Sequence, residues 1–468
     1  MRHLLLRTDM SRRFRITFLV VAACQGHPAD PTVTIDTDPD AATPMATSAA
    51  LAVLGATVQT GTLEQPDLTA CCTGDQSCSG TNPSSPYARL RLPPGPGQTV
   101  PNPDANPDGT ATAWRLRQDE AVIVVGLTPP SARYYGFTPY LADRYNPTTH
   151  EREQLFASLG DSWNQLVLST ASGRPFLSEF ATVFTSNATT ASLVTAALER
   201  AGTPAAAINI VVLRSDNTHL GLDYQADTFS FFLRVGVPAS TSAIDAWLAH
   251  PPSVYRVTPG SELAANPLPT PPGRTRGSSP ETLSSAVDQL GAAIQARTGG
   301  TGVALATHNV PPLFNGDYCI ANNLFCAGDN RDALYGQGNT TFDLDQLAYV
   351  MVYGVNHQAT GKASYSNATI TYSANALGVV AVDSTEMPGS AEVFLPGDPD
   401  ADSLYAFAFA RDCSVAPTPY CIAVPSQGCP VLPIGAAAGL TLRAYLDPAT
   451  RTGPGLGEIV VDRALLVP

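Results

Sequence analysis

The chain has 468 residues and a formal charge of −14, with 40 acidic against 26 basic side chains. That excess argues against nucleic acid and against an electrostatic hold on anionic lipid, since both need basic patches. The length is enough for two bodies of roughly 200 residues, each with its own core.

In chain order, residues 1–23 read as an export signal. Met10-Ser-Arg-Arg-Phe-Arg forms a basic region, with Met10 an alternative start, and Ile16 to Ala23 is an apolar run too short to span a membrane. It ends in Val21-Ala22-Ala23-Cys24, which resembles the lipobox of bacterial lipoproteins. That resemblance implies lipidation of Cys24, and Gln25 after it leans toward the outer membrane. An ordinary cleaved signal with a free Cys24 is the alternative. Removing residues 1–23 leaves 21 basic and 39 acidic side chains, a net charge of −18. Residues 24–50, rich in Pro, Thr, Asp and Ala, read as a tether.

Eight further cysteines follow: Cys71, Cys72, Cys78, Cys319, Cys326, Cys413, Cys421 and Cys429. An even number in an exported chain points to disulfides. They fall in groups of three, two and three, so full pairing requires a bridge from the 71–78 group to the C-terminal half. Cys319–Cys326 and Cys413–Cys421 are the expected local bridges. Zinc is not expected, because the spacings are not those of its ligand pairs.

The body 51–258 reads as α+β. Strands are expected at Glu120–Gly126, Arg133–Leu141, Ile208–Leu213 and Phe229–Val235. Helices are expected at Thr190–Ala201 and Ala243–Leu248. Residues 259–279 are Pro-rich and read as a linker. The body 280–468 opens with a helix that Ser279 caps and Pro280 starts, and Glu281 suits the positive helix end. Strands follow at 347–357, 362–372, 377–383, 404–411, 438–446 and 458–465. The fold class expected is β-rich α+β: mixed sheets with a few helices, disulfide-stapled, in two packed domains.

The stretch Tyr349 to Asn367 holds Lys362, the only lysine beside 25 arginines, and His357, one of seven histidines. A desolvated lysine amine can act as base or nucleophile, which a guanidinium cannot. The stretch reads as a β-hairpin turning at Gln358–Gly361. His357 then faces Lys362, with Cβ atoms roughly 4.5–5.5 Å apart. A tighter turn would put it opposite Ser364. The alternative is that Lys362 snorkels at a strand end and His357 satisfies a loop carbonyl.

Other patterns in the chain suggest chemistry as well. Gly160-Asp161-Ser162 resembles the nucleophile block of GDSL/SGNH hydrolases, and Asp216–His219 has the spacing of their Asp/His pair. Only 57 residues separate Ser162 from His219, and Trp163 replaces the usual Leu, so a plain strand-to-turn serine is expected. Gly328-Asp329-Asn330-Arg331-Asp332 resembles a box of type I signal peptidases, but the upstream nucleophile box is absent; a charged turn or ion pair is expected. Asp104, Asn106 and Asp108 copy the opening of a calcium loop, which makes calcium the one cofactor to consider. The twelfth position is Arg115, where a bidentate Glu is needed.

The strings VYGVNHQATGKASYSN, ARYYGFTPYL, LFASLGDS and RAYLDPATRTGP resemble an uncharacterised family of exported proteins. The resemblance spans most of 115–468 and implies no activity. The expected function is a tethered envelope lipoprotein that binds a protein or small molecule, with the membrane met only through the lipid. The alternative is an exported hydrolase. Its site would hold Lys362 or His357 as base and Asn356 or Thr360 as orienter, with Asp329, Arg331 or Asp332 completing the pocket.

Overall fold

The computed structural model describes residues 44–468 apart from 75–77, 79 and 311–314. The signal, Cys24 and residues 24–43 of the tether lie outside the described residues. The described residues form one compact unit. Residues 44–50, read as the tether's end, instead belong to the helix Pro44–Ala52. Its Leu51 is fully buried against Val194, Ala197 and Leu198 of the helix Ala188–Arg200.

The first half is a ten-stranded mixed sheet. In spatial order its main path runs Glu151–Ser158, Ala132–Asn146, Thr228–Pro238, Tyr87–Arg91, Thr57–Glu64, Ser253–Thr258, Ala121–Leu127, Glu179–Thr185 and Ile208–Val212. The last pair is parallel and joined through the helix Ala188–Arg200, while the pairings before it are antiparallel. Strict alternation places one face in the core. Ala88 and Leu90, and Phe231, Leu233 and Val235, meet Val122, Val124 and Val254 from the far end of the sheet. The sheet therefore curls around that core. Tyr87, Arg89, Phe232 and Arg234, at the intervening positions, are left on the outer face.

The second half is a sandwich. One sheet orders Val303–Leu305, Arg463–Val467, Tyr349–Val355, Leu404–Ala410 and Cys421–Ala423. The other orders Thr307–Asn309, Ala333–Gly338, Ala437–Tyr445, Tyr365–Tyr372 and Leu377–Asp383. Val350, Val352, Ile370, Phe407, Leu440 and Leu442 fill the space between them. The helix Ser284–Arg297 covers the first sheet's other face with Val287, Leu290 and Ile294.

Two expectations are corrected. Tyr349–Val355 and Tyr365–Tyr372 do not pair with each other: the first pairs with 404–410 and 463–467, the second with 377–383 and 437–445. The stretch is an arch that crosses between sheets, not a hairpin. The helix expected to be capped by Ser279 starts at Ser284. The preceding residues are held elsewhere: Lys362 Nζ donates to the Ser279 carbonyl at 2.6 Å, and the Glu281 amide donates to the Glu458 carbonyl at 3.1 Å.

The disulfides are Cys71–Cys78, Cys72–Cys429, Cys319–Cys326 and Cys413–Cys421. Both expected local bridges form, and Cys72–Cys429 is the bridge that the odd grouping required. Residues 259–279 run extended along the body. The Leu263 amide donates to Asp119 at 2.9 Å and the Arg274 amide to Asp161 at 2.6 Å. No helix among the described residues is long and apolar enough to cross a membrane.

Candidate ligand-binding cleft

The residues of the arch are spent on structure. Lys362 Nζ lies 3.8 Å from Glu458 Oε1 beside its bond to the Ser279 carbonyl. It works there as a donor and cation, tying the arch to 279–281 and 458. Asn356 donates to the Ser384 carbonyl at 3.1 Å and accepts from the Gln358 amide at 3.2 Å. His357 is 1% exposed, with Nδ1 3.1 Å from Glu281 Oε2. Its Nε2, the Tyr405 hydroxyl and Asp462 Oδ1 are buried and make no close hydrogen bond among the described residues, Tyr405 and Asp462 interacting only loosely. Burial pushes the Asp462 carboxyl up to about 6, against a pull downward from His357 and Tyr405.

The Gly328–Asp332 box serves other elements. Asp329 accepts from the Ser158 amide at 2.7 Å, its hydroxyl at 2.6 Å and the Gly316 amide at 2.9 Å. Arg331 pairs with Asp161 at 2.5 Å and donates to the Arg274 carbonyl at 2.8 Å. Asp332 is fully buried and accepts from Tyr134, Asn164 and Arg274. Burial raises both Asp329 and Asp332 to about 6. The expectation that these three complete a pocket with His357 and Lys362 is therefore corrected: Arg331 and Asp332 clamp the 272–276 segment, and Asp329 faces a different cavity. Nor does Ser162 meet His219. The serine is fully buried against Thr138 at 2.6 Å and Asn330 at 2.9 Å, while the histidine side chain is 66% exposed.

The cavity that Asp329 faces is a cleft of about 1190 Å³ between the two halves. Its first wall is the outer face of the curled sheet, where Tyr87 stands opposite Arg234 and Arg89 opposite Phe232. Its second wall comes from the sandwich, where Tyr335 stands opposite Arg443, with Thr441 and Tyr445 on the same face. The neighbours Leu440, Leu442 and Ala444 point away, the first two into the sandwich core. Below the cleft the halves are fused by tyrosines: Tyr365 and Tyr445 stack at 4.8 Å, and Tyr134 lies 5.1 Å from Tyr445.

The cleft's arginines fall into two kinds. Arg91 is gripped through two bonds by Glu64, and Arg152 is paired with Asp143. Arg89, Arg234 and Arg443 have no carboxylate partner among the described residues. Arg234 is 5% exposed, donates at 3.4 Å to Thr138 Oγ1 and the Gly328 carbonyl, and interacts with the Tyr140 hydroxyl. Its guanidinium carbon lies 5.4 to 5.9 Å from the ring centres of Tyr140, Tyr87 and Phe232. Arg443 donates to Thr369 and to the Gly80 and Thr81 carbonyls. Arg89 Nε is buried with no hydrogen-bond partner among the described residues, the Glu64 and Asp104 carboxylates acting on the guanidinium from farther off. Burial pushes Tyr87 and Tyr335 up to about 12, so the phenols face the cleft as neutral donors. Tyr87 and Tyr445 each feel both Arg234 and Arg443, so the two guanidiniums converge on the same phenols.

The calcium candidates sit by the cleft rim. Asp104 accepts from the Thr112 and Ala113 amides, both at 3.0 Å, and Asp108 accepts from the Thr110 amide at 2.9 Å and its hydroxyl at 2.7 Å. They thus hold a turn together. Among the described residues no three His, Cys, Asp or Glu side chains converge as a metal-binding group.

Sequence reasoning located 229–235 as a strand but missed the cleft. The available signal was the Arg and Tyr at alternate positions of YARLR, FSFFLRV and TLRAY, opposite the core-facing apolar residues. Comparison with protein-family models and with curated proteins finds no match for the chain.

Proposed function

We propose that this chain is an exported binding protein, held at the cell envelope through a lipidated Cys24, whose central cleft takes a ligand. The observation that carries this is the cleft itself: about 1190 Å³, walled by two sheets and lined by aromatic rings with a few convergent polar groups. The four disulfides fit an extracytoplasmic setting. Gln25 after the anchor favours the outer membrane.

The hydrolase alternative has less support. It centres on His357, which is 1% exposed, and on Lys362, which is tied to a carbonyl. The test is native mass spectrometry of the protein extracted from its own envelope, beside Thr441→Trp, which fills the cleft. The wild type is expected to carry a bound mass that the variant lacks. A wild type that carries nothing, and takes nothing from a concentrated envelope extract, would sink the reading.

A further inference from the structure

We infer that the cleft's ligand is an organic anion, its acidic groups held by Arg89, Arg234 and Arg443 and its carbon framework by the rings around them. This deepens the reading of the cleft as a ligand site and rests on it. A guanidinium removed from water is costly unless it is paired. Elsewhere this chain pairs some of them, Arg256 with Glu120, both fully buried, and Arg144 with Asp227, while Arg115 and Arg276 donate to carbonyls and an amide oxygen that lie outside the cleft. With 40 acidic side chains against 26 basic ones, carboxylates are not scarce. Those nearest the cleft are already engaged. Glu64 is taken by Arg91, Asp104 by its own turn, and Asp329 by Ser158 and Gly316. Three arginines from opposite walls are thus left facing one space with no carboxylate in direct ion-pair contact among the described residues, though Glu64 and Asp104 act on Arg89, and Asp329 on Arg234, from farther off.

That arrangement suits a ligand that brings at least two acidic groups, because guanidinium forks recognise carboxylate and phosphate bidentately. The remaining lining adds a second requirement. Phe232 and Tyr87 flank Arg234, and Phe325, 52% exposed, stands at the mouth. Rings at these places bind a planar or hydrocarbon framework, which a bare inorganic ion lacks.

The test uses two fluorescent probes of one framework: 8-anilinonaphthalene-1-sulfonate, an anion, and neutral N-phenyl-1-naphthylamine. The anion is expected to bind the full chain at least roughly tenfold more tightly at low salt, and benzene-1,3,5-tricarboxylate to displace it. Arg89→Gln is expected to weaken anion binding roughly tenfold while raising the Tm of the ligand-free protein, because Arg89 is half-buried and its Nε has no hydrogen-bond partner among the described residues. A merely structural arginine would not give effects of opposite sign. Arg443→Gln, checked for native circular dichroism, samples the other wall. If both probes bind alike and both variants leave the sulfonate's affinity unchanged, the anion inference falls and the cleft reading stands. A lowered Tm with unchanged binding in Arg89→Gln also overturns it. If neither probe binds better than to Thr441→Trp, both readings fall.

Discussion

Asp462 shows how one carboxyl can set a pH dependence. Its Oδ1 is buried with no close hydrogen bond among the described residues and lies so close to Gly354 that a Cβ there would sit 2.1 Å away. Burial raises its carboxyl from the ordinary 3.8 to about 6, so folding favours the protonated form. Its contribution to stability is then full below about pH 4 and is lost as the pH rises through about 6. Asp462→Asn keeps the shape and removes the charge. It is expected to stabilise the protein by roughly 1–2 kcal/mol at pH 8 and by little at pH 4, read from urea unfolding at both values. The sequence made Lys362 and His357 conspicuous by rarity. Rarity gave no information about burial, and burial decided their roles: His357 lies under Glu281 and Lys362 reaches a carbonyl. Asp462, Tyr405 and Glu281 come from three separate segments, and no local pattern links them to His357.

At the scale of elements, the strong periodic segments were readable and their partners were not. Leu377–Asp383 lies where expected, and the helix Ala188–Arg200 within two residues of its expected ends. The arch failed as a hairpin because every residue of Tyr349–Val355 is buried, so neither face carried the polar alternation that marks a paired, half-exposed strand. A short connection with glycine fits a turn within one sheet and a crossing between two sheets equally well. Caps behave likewise. Ser279 had the right chemistry in the wrong place, whereas Asn187 truly caps its helix, accepting from the Thr189 amide at 2.9 Å and the Thr190 amide at 3.2 Å. It also donates to the Ala264 carbonyl, pinning the 259–279 segment. Asn187→Ala is expected to cost about 1–2 kcal/mol of unfolding free energy. It should also speed proteolysis between 259 and 279, which a purely local cap would not do.

For the molecule as a whole, cysteine parity proved more informative than any motif. It required a bridge across the chain, and Cys72–Cys429 is that bridge. The pair Cys72→Ser with Cys429→Ser is expected to cost about 2–5 kcal/mol, measured by guanidinium unfolding. Because Ala70 and Cys78 also line the cleft, the same pair should loosen one rim and weaken probe binding. The cleft was illegible for a different reason. Its arginines stand at 89, 234 and 443, and only the packing of two complete sheets brings them to one space.

The same bridge bears on how the protein matures. Cys72 precedes Cys429 by 357 residues, so it is synthesised well before its partner. Through that interval it sits between Cys71 and Cys78, either of which offers an earlier partner. An oxidising compartment would close such a ring quickly. If Cys71 and Cys78 close on each other first, Cys72 stays free for Cys429; if Cys72 closes with either of them, completion needs thiol exchange once the chain's last forty residues have arrived. Chains cut short before Cys429 would keep an odd thiol in the first cluster, open to capture by other proteins.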